Sequence, residues 1–430
     1  MLVINFLKLI SWFLRTFTKN SATALPGLWL ETYFPWVLKK IFSGFEKVIL
    51  ITGTNGKTTT TQMICHLLSK NNIDFITNKS GSNLIRGIAS SILDKTDFWG
   101  QPISKFGVFE IEEGSIRKIV KFIKPEVIVI TNIFRDQLDA YGEIDKTFRY
   151  IKEAVENSDN PTLILNGNDY RVSKLKQYTN NTVIELKLDE KYLDQIKTEN
   201  NPYPDEDNFI HKKQENYTLK NIQVFDDLST IFDIEGLKSN FYKNKVFVPG
   251  MHNSINAASA ILTVKKIVGE KSINLDLSDF PPAFGRGEII SIDEGKEFQF
   301  LLAKNPAGMN LNLHLLKNVK NREAVLILLN DNIADGKDIS WIWDVDFHLL
   351  KELNFNKIYV SGNRKWDIAL RLKYEGLNIH KECVFEDSES ALEKLRESDH
   401  KKIYILPTYT AMLEFRKELG KFTNVKEMWK

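Results

Sequence analysis

The stretch from Val48 to Thr61, Val-Ile-Leu-Ile-Thr-Gly-Thr-Asn-Gly-Lys-Thr-Thr-Thr-Thr, constrains the fold more than any other part of this 430-residue chain. Val48–Ile51 is a short continuous apolar run, the pattern of a parallel strand covered on both faces. Gly53 and Gly56 follow at once. Lacking a Cβ, they let the backbone turn sharply and bring its N–H groups up to an anion. Lys57 and Thr58 then open a helical pattern, and the positive end of that helix points at the same anion. Strand, glycine turn, Lys-Thr and helix together make a phosphate-binding loop for a nucleoside triphosphate. In it Lys57 reaches the terminal phosphates and Thr58 ligates Mg²⁺. The spacing is Gly-x-x-Gly-Lys-Thr, because Ile51 stands where the longer form of the loop has its first glycine.

Strands and helices alternate from Lys47 to about Gly167. Strands are expected at Val48–Thr52, Phe75–Thr77, Phe106–Ile111, Val127–Asn132 and Thr162–Asn166. Helices are expected at Thr58–Lys70, Arg86–Leu93, Ser115–Phe122 and Ile144–Glu156. Such alternation predicts a doubly wound, mostly parallel α/β sheet that binds ligands at the carboxyl ends of its strands. A polar stretch around 189–216 reads as an insertion, spanning about 186–239 with its flanks. Regular structure resumes with a strand at Lys245–Val248 and a helix at Asn253–Ile267, and Pro281, Pro282 and Gly285 mark a hinge. A second, smaller alternating unit follows, with strands at Phe298–Ala303, Ala324–Leu329, Lys357–Val360, Val384–Glu386 and Lys402–Leu406. The domains expected are an N-terminal helical extension (1–45), a nucleotide-binding domain (46–285) and a C-terminal α/β domain (286–430).

Composition narrows the partners. Lys+Arg 58 against Asp+Glu 56 leaves a net charge of +2, so no sequence-wide basic field points to nucleic acid. Two cysteines, Cys65 and Cys383, exclude a disulfide scaffold and fit a reducing cytoplasm. No apolar run is long enough to cross a bilayer. Between Met1 and Lys19, polar Asn5, Lys8, Ser11, Arg15 and Thr18 recur every three or four residues in an otherwise apolar segment. That spacing makes an amphipathic helix with a wide apolar face, which either packs on its own domain or lies on a membrane surface.

Five further clusters line up behind the loop. They are Thr77–Ser90, Glu110 with Glu112 and Glu113, Thr131–Glu143, Gly250–Ala258, and Phe284-Gly285-Arg286-Gly287-Glu288. In this order the chain resembles the Mur ligase family, whose members use ATP to activate a carboxylate and join an amine to it. The C-terminal segments Ala303–Gly308, Leu329–Asp344 and Leu406–Leu413 look like those of its MurT branch, the ligase subunits of lipid II isoglutaminyl synthase. The resemblance covers nearly the whole chain from about Ala22. It implies amidation of the α-carboxylate of D-glutamate in the peptidoglycan stem peptide of lipid II. Ammonia would come from a GatD-type glutamine amidotransferase subunit in a heterodimer. The setting would be cytoplasmic, with peripheral contact at the inner face of the membrane as the alternative for the first helix.

Site residues follow from motif and resemblance together. Thr54, Asn55, Gly56, Lys57, Thr58 and Thr59 form the ATP loop, with Lys57 stabilising the charge that migrates in phosphoryl transfer. Thr58 and Glu110 supply oxygen ligands to Mg²⁺. By resemblance Asn256 contacts adenine and Arg286 a phosphate, while Lys304 and Asn305 belong to a substrate-facing segment. Five aspartates lie between Asp331 and Asp346, around Trp341 and Trp343. Asp344 is the residue expected to complete the glutaminase's Cys-His pair, with Asp335 as the alternative and Asp331 a further substrate candidate. Neither Cys65, in an apolar helical pattern, nor Cys383 reads as a nucleophile, so glutamine hydrolysis needs the partner. Many members of the branch carry a four-cysteine zinc ribbon in the segment that here holds only His211. Structural zinc takes four Cys or His ligands, so no zinc is expected.

Overall fold

The computed structural model describes residues 2–17, 25–78, 82–134, 144–195, 211–225, 227–248, 250–269, 273–281, 285–292 and 295–425. Parts of the motifs quoted above, namely 79–81, 135–143 and Phe284, lie outside the described residues, as does 196–210 within the polar stretch.

The first apolar run is strand β1 (Lys47–Thr52). It lies between β3 (Phe106–Glu110) and β4 (Val127–Ile130), parallel to both, with Ile51 opposite Glu110 and Thr52 opposite Ile130. β2 (Phe75–Thr77) and β5 (Thr162–Asn166) extend the parallel sheet on either side. Successive side chains of β1 enter opposite layers, as a two-sided strand requires. Val48 and Leu50 join a cluster with Phe42, Phe109 and Ile128, whereas Ile49 and Ile51 join Met63, Leu67 and Val129. Because the neighbours run in register, the ends of β1, β3, β4 and β5 meet at one edge, where Gly53, Glu110, Thr131 and Asn166 stand together.

The segment expected as an insertion continues this sheet instead. β6 (Val183–Leu188) pairs parallel with β5, and β7 (Gln214–Val224) pairs parallel with β6. β8 (Thr230–Gly236) and β9 (Asn240–Val246) close the edge as antiparallel strands, giving the order β2-β3-β1-β4-β5-β6-β7-β8-β9. One face carries Tyr217, Leu219, Phe232, Ile234 and Val246 into the second cluster, beside Ile261 and Val264 of the long helix Met251–Val268. The other face is polar, so the alternation is diluted by Lys, Asn and Glu and reads as loop. In this segment buried His211 bonds Thr179 O at 3.0 Å and accepts from Lys213 N at 3.1 Å. Among the described residues no group of three His, Cys, Asp or Glu is placed to hold a metal ion.

Three N-terminal helices cover the outer layer: α1 (Leu2–Phe17), α2 (Leu25–Tyr33) and α3 (Pro35–Phe42). α4 (Lys57–Lys70) follows the phosphate loop, α5 (Ile85–Leu93) follows β2, and α6 (Glu113–Ile119) follows β3. α7 (Ile144–Glu156) and the short α8 (Tyr170–Lys174) precede the helix Met251–Val268, which is α9. Ile4 and Leu7 of α1 and Leu30 of α2 are fully enclosed in the cluster that also holds Ile88 and Ile92 of α5. α1 therefore packs on the chain's own core through one face, and no described helix is long and apolar enough to cross a membrane.

The C-terminal part builds a five-stranded sheet from β10 (Arg286–Ile292), β11 (Lys296–Leu301), β12 (Ala324–Leu328), β13 (Lys357–Ser361) and β14 (Lys402–Pro407). Its order is β10-β11-β14-β12-β13, parallel apart from β10. Helices α10 (Pro306–Leu315), α11 (His348–Leu353), α12 (Lys365–Tyr374), α13 (Ser388–Glu397) and α14 (Tyr409–Leu419) flank it. Val384–Glu386 is not a strand; Val384 makes one bridge to Val360, beside the 3₁₀ turn that holds buried Cys383. β10 was missed because Arg, Gly and Glu open it.

Candidate active site

Gly53 and Gly56 have φ of +124° and +85°, a region that side chains disfavour. Space excludes them as well. A Cβ on Gly53 would lie 2.3 Å from Thr131 Oγ1, and one on Gly56 2.7 Å from Asn256 Oδ1. The loop between them is pinned to the end of β4. Thr54 N donates to Asn132 O at 2.9 Å, Asn55 N to Asn132 Oδ1 at 2.8 Å, and Thr131 Oγ1 to Asn55 O at 2.7 Å. Thr54 Oγ1 donates to Phe134 O at 3.1 Å and accepts from Phe134 N at 3.0 Å. What remains is a tight anion cradle at the start of α4. Asn55 Nδ2 and Thr59 Oγ1 are buried there without a hydrogen-bond partner. Buried donors of that kind normally find one, and phosphate oxygens would supply it.

Lys57 is 8% exposed and folds back over the loop. Its Nζ donates to the carbonyl of Gly53, to Thr54 O at 3.2 Å and to Glu113 Oε1 at 2.8 Å. Glu113, only 4% exposed, belongs to α6 and was quoted in the acidic run without a role. Pairing was the signal, since a lysine buried this deeply needs a carboxylate. Burial and the charge of Glu113 push the Glu112 carboxyl above its ordinary value. Glu110, 5% exposed, stands at the end of β3, its backbone tied on both sides by the Asn78 amide at 3.0 and 2.9 Å. Arg286 at the start of β10 is half-buried; burial lowers its pKa and the Glu110 charge raises it. His252 is held near pKa 4 by burial and then by the Arg286 charge, so it is neutral near pH 7. Arg286 is therefore within electrostatic reach of Glu110 and His252, and Thr58 is half-buried at the start of α4.

A cleft opens beside the loop, lined by Asn55, Phe134, Asn168, His252, Asn256 and Leu311 among others. Asn256 donates to Asn253 Oδ1 at 2.9 Å, and both are buried. The sequence missed the carboxyl edge of β5. Asn166 donates to Thr131 O at 2.9 Å, Asn168 to Asn166 Oδ1 at 2.9 Å, and Asp169 caps α8. Burial pushes the Asp169 carboxyl up to about 6 against three backbone donors, Ile133, Val172 and Arg171. Each stands where a strand end reaches the cleft, a placement that follows from the pairing of β5 beside β4. The far wall is α10, from the C-terminal part, through Ala307, Asn310, Leu311 and His314.

The C-terminal candidates separate. Asn305, 1% exposed, caps α10 through Gly308 N at 2.8 Å and reaches Asn55 Oδ1 at 3.4 Å, bridging the two sheets' units at the loop. Lys304 beside it is half-buried. Asp331 accepts from Arg364 Nε at 2.7 Å. Asp335 is 3% exposed and takes Thr410 N at 2.7 Å, the Thr410 hydroxyl and Asn332 N at 3.2 Å, so it anchors two loops internally. Asp344 ends the 3₁₀ turn Ser340–Asp344 and is exposed, next to Trp343, which meets Tyr374 edge-on at 5.4 Å.

Comparison with known proteins agrees with this layout. Residues 51–264 match the family model of the Mur ligase middle domain, and residues 302–412 that of the MurT ligase C-terminal region. The lipid II isoglutaminyl synthase (glutamine-hydrolyzing) subunit MurT of Staphylococcus aureus (strain N315) is 32% identical over 416 residues, 93% of each chain. The protein of that name from Streptococcus pneumoniae (strain ATCC BAA-255 / R6) is 31% identical over 418 residues, 93% of this chain and 92% of its own. Among solved structures, the MurF ligase of Thermotoga maritima in complex with ADP superposes with a TM-score of 0.64 at 18% identity, covering 94% of this chain and 86% of that one. Fold and loop thus define a Mur-type ligase. More narrowly, the chain belongs to the MurT family.

Proposed function

We propose that this chain is the ATP-dependent ligase subunit of a lipid II isoglutaminyl synthase. The observation that carries the reading is the meeting, in one cleft, of Asn55 and Gly56 of the phosphate loop, Asn256, and the Asn305-capped start of α10. ATP is a substrate here. The γ-phosphoryl group passes to a carboxylate oxygen of D-glutamate in the stem peptide, and ADP leaves. Ammonia then attacks the acyl carbon of the acyl phosphate, phosphate leaves with the bonding pair, and one proton is lost as D-isoglutamine forms. The loop N–H groups and Lys57 hold the migrating charge, positions where preorganised donors contribute most. Mg²⁺, with Thr58 and Glu110 as oxygen ligands, would neutralise phosphate charge. Two protein ligands suit an ion that keeps water and phosphate in its remaining positions.

The ammonia source is a GatD-type glutaminase seated on the C-terminal part. Support comes from α12, where Trp366, Leu370 and Tyr374 recur at four-residue intervals and stay 58%, 48% and 72% exposed. Such a stripe at helical spacing is an unfilled interface, and exposed Asp344 lies beside it through the Trp343–Tyr374 contact. Asp344 is exposed whereas Asp335 is buried against Thr410, so Asp344 is the acid placed to meet and orient a partner histidine. The test is amidation of lipid-linked stem peptide by the chain with its glutaminase, with ADP release and product mass read together. Glutamine-dependent ADP release with amidated product is expected. Nucleotide binding without turnover would make the chain a scaffold and reject the proposal.

A further inference from the structure

We infer that the N-terminal helix and the loop at 94–103 form a docking face for an anionic lipid surface. The inference adds a mode of attachment to the proposed lipid-linked substrate, although its evidence is independent of that reading. α1 buries Ile4, Leu7 and Ser11, three residues at helical spacing. Phe6, Leu9 and Trp12 occupy the opposite arc and are 58%, 61% and 59% exposed. A helix that folds only onto its own domain carries polar residues there.

The neighbouring loop repeats the pattern. Phe98, Trp99 and Ile103 are 57%, 64% and 65% exposed, and Phe98 meets Trp99 edge-on at 5.5 Å. Loop and helix are fixed to one another. Asn5 Nδ2 donates to Phe98 O at 3.3 Å, Lys8 Nζ to Asp97 O at 2.9 Å and to the Thr96 carbonyl, and Ser11 Oγ to Asp94 Oδ1 at 2.9 Å. Gly100, at φ +82°, lets Ile4 come so close that a Cβ would sit 2.2 Å from Ile4 Cδ1. Six large apolar side chains are thus held outward on a rigid frame instead of collapsing onto the core.

Charge selects the occupant. By sequence, residues 1–45 and 94–103 together hold six basic side chains, Lys8, Arg15, Lys19, Lys39, Lys40 and Lys95, against three acids, Glu31, Asp94 and Asp97, in a chain whose net charge is only +2. Lys39 and Lys40 are exposed on α3, one turn after Trp36, which is 64% exposed. Lys95 is exposed and its carbonyl accepts from Ile103 N at 2.8 Å. A second copy of this face would oppose like charges. Anionic headgroups complement them, and Trp and Phe are the side chains that settle at a bilayer interface. α1 and α2 rest on α5, where Gly27 N donates to Ser90 Oγ at 2.9 Å.

The test is co-sedimentation of the full chain, alone and with its glutaminase, with vesicles of phosphatidylcholine with or without phosphatidylglycerol, neither containing lipid II. Binding that requires phosphatidylglycerol and weakens with salt is expected. Phe98→Ser/Trp99→Ser and Leu9→Ser/Trp12→Ser should each lower it by about tenfold or more, with unchanged thermal melting and unchanged ATP hydrolysis on a lipid-free stem peptide. Failure of the unmodified chain to bind either vesicle overturns the inference. So does binding that both double variants retain, or a self-association that they dissolve while vesicle binding persists. Loss of amidation with vesicle binding intact would instead count against the proposed activity alone.

Discussion

Lys57 and Glu113 form a buried pair, which makes substitution at either position a two-part experiment. Removing one partner of such a pair costs about 3–5 kcal/mol of stability, because the other charge stays buried. Lys57→Ala should therefore lower the melting temperature and also reduce ATP turnover by a factor of about 10² or more. Adding Glu113→Gln should recover folding without recovering turnover, read by calorimetry and ADP release on the same samples. Asp344→Asn should leave ammonia-driven amidation intact and slow glutamine-driven amidation by at least about tenfold. Equal rates with glutamine before and after the change would reject Asp344 as the partner-facing acid. His252 sets a pH signature. Its folded pKa near 4 lies below its ordinary 6.5, so the unfolded chain binds the proton first as pH falls. Its contribution is full above pH 6.5 and is lost on the way down to pH 4, by an amount on the order of 2–3 kcal/mol. Asp169 acts with the opposite sign, since its proton is held up to about pH 6, but it is common to both proteins compared. Unfolding free energies of the parent and His252→Asn between pH 4 and 6.5 should thus show the shallower slope in the variant.

At the level of elements, the legible parts were those whose burial is two-sided or whose turns demand glycine. β1 to β5 emerge from the sequence within a residue or two because their apolar runs have no competing period. β6 to β9 do not, since a strand with one polar face loses its signal among Lys, Asn and Glu, and the polar run at 189–216 reinforces the wrong reading. The site divides in the same way. The phosphate loop, Glu110, Asn256 and Arg286 were visible as spaced motifs. The asparagines at 132, 166 and 168 and the Lys57–Glu113 pair were not assigned, because they depend on which strand ends become neighbours. Asp335 and Asp344 look alike in sequence; burial against Thr410 is what tells them apart. Asp335→Ala leaves Thr410 N and Asn332 N without an acceptor, so a loss of about 1–3 kcal/mol is expected, whereas Asp344→Ala, at an exposed position, should cost less. Chemical denaturation of the two variants checks both.

For the whole molecule, two sheets enclose one cleft, with α10 and Asn305 of the second facing the loop of the first. Under the proposed function, nucleotide and acyl acceptor would meet in that cleft, and the exposed stripe on α12 and the aromatic face of α1 would be separate surfaces for a protein partner and a membrane. The stripe carries its own expectation: Trp366→Ala/Tyr374→Ala should weaken capture of the glutaminase by at least about tenfold without altering ATP binding, measured by titration of the purified subunits. The most direct measurement overall is mass spectrometry of the stem peptide after incubation with the chain, its glutaminase, ATP, Mg²⁺ and isotopically labelled glutamine. Transfer of the labelled amide nitrogen to the D-glutamate α-carboxylate, one ADP released per amide, is the expected result. ADP formation with an unlabelled, unamidated peptide would contradict it.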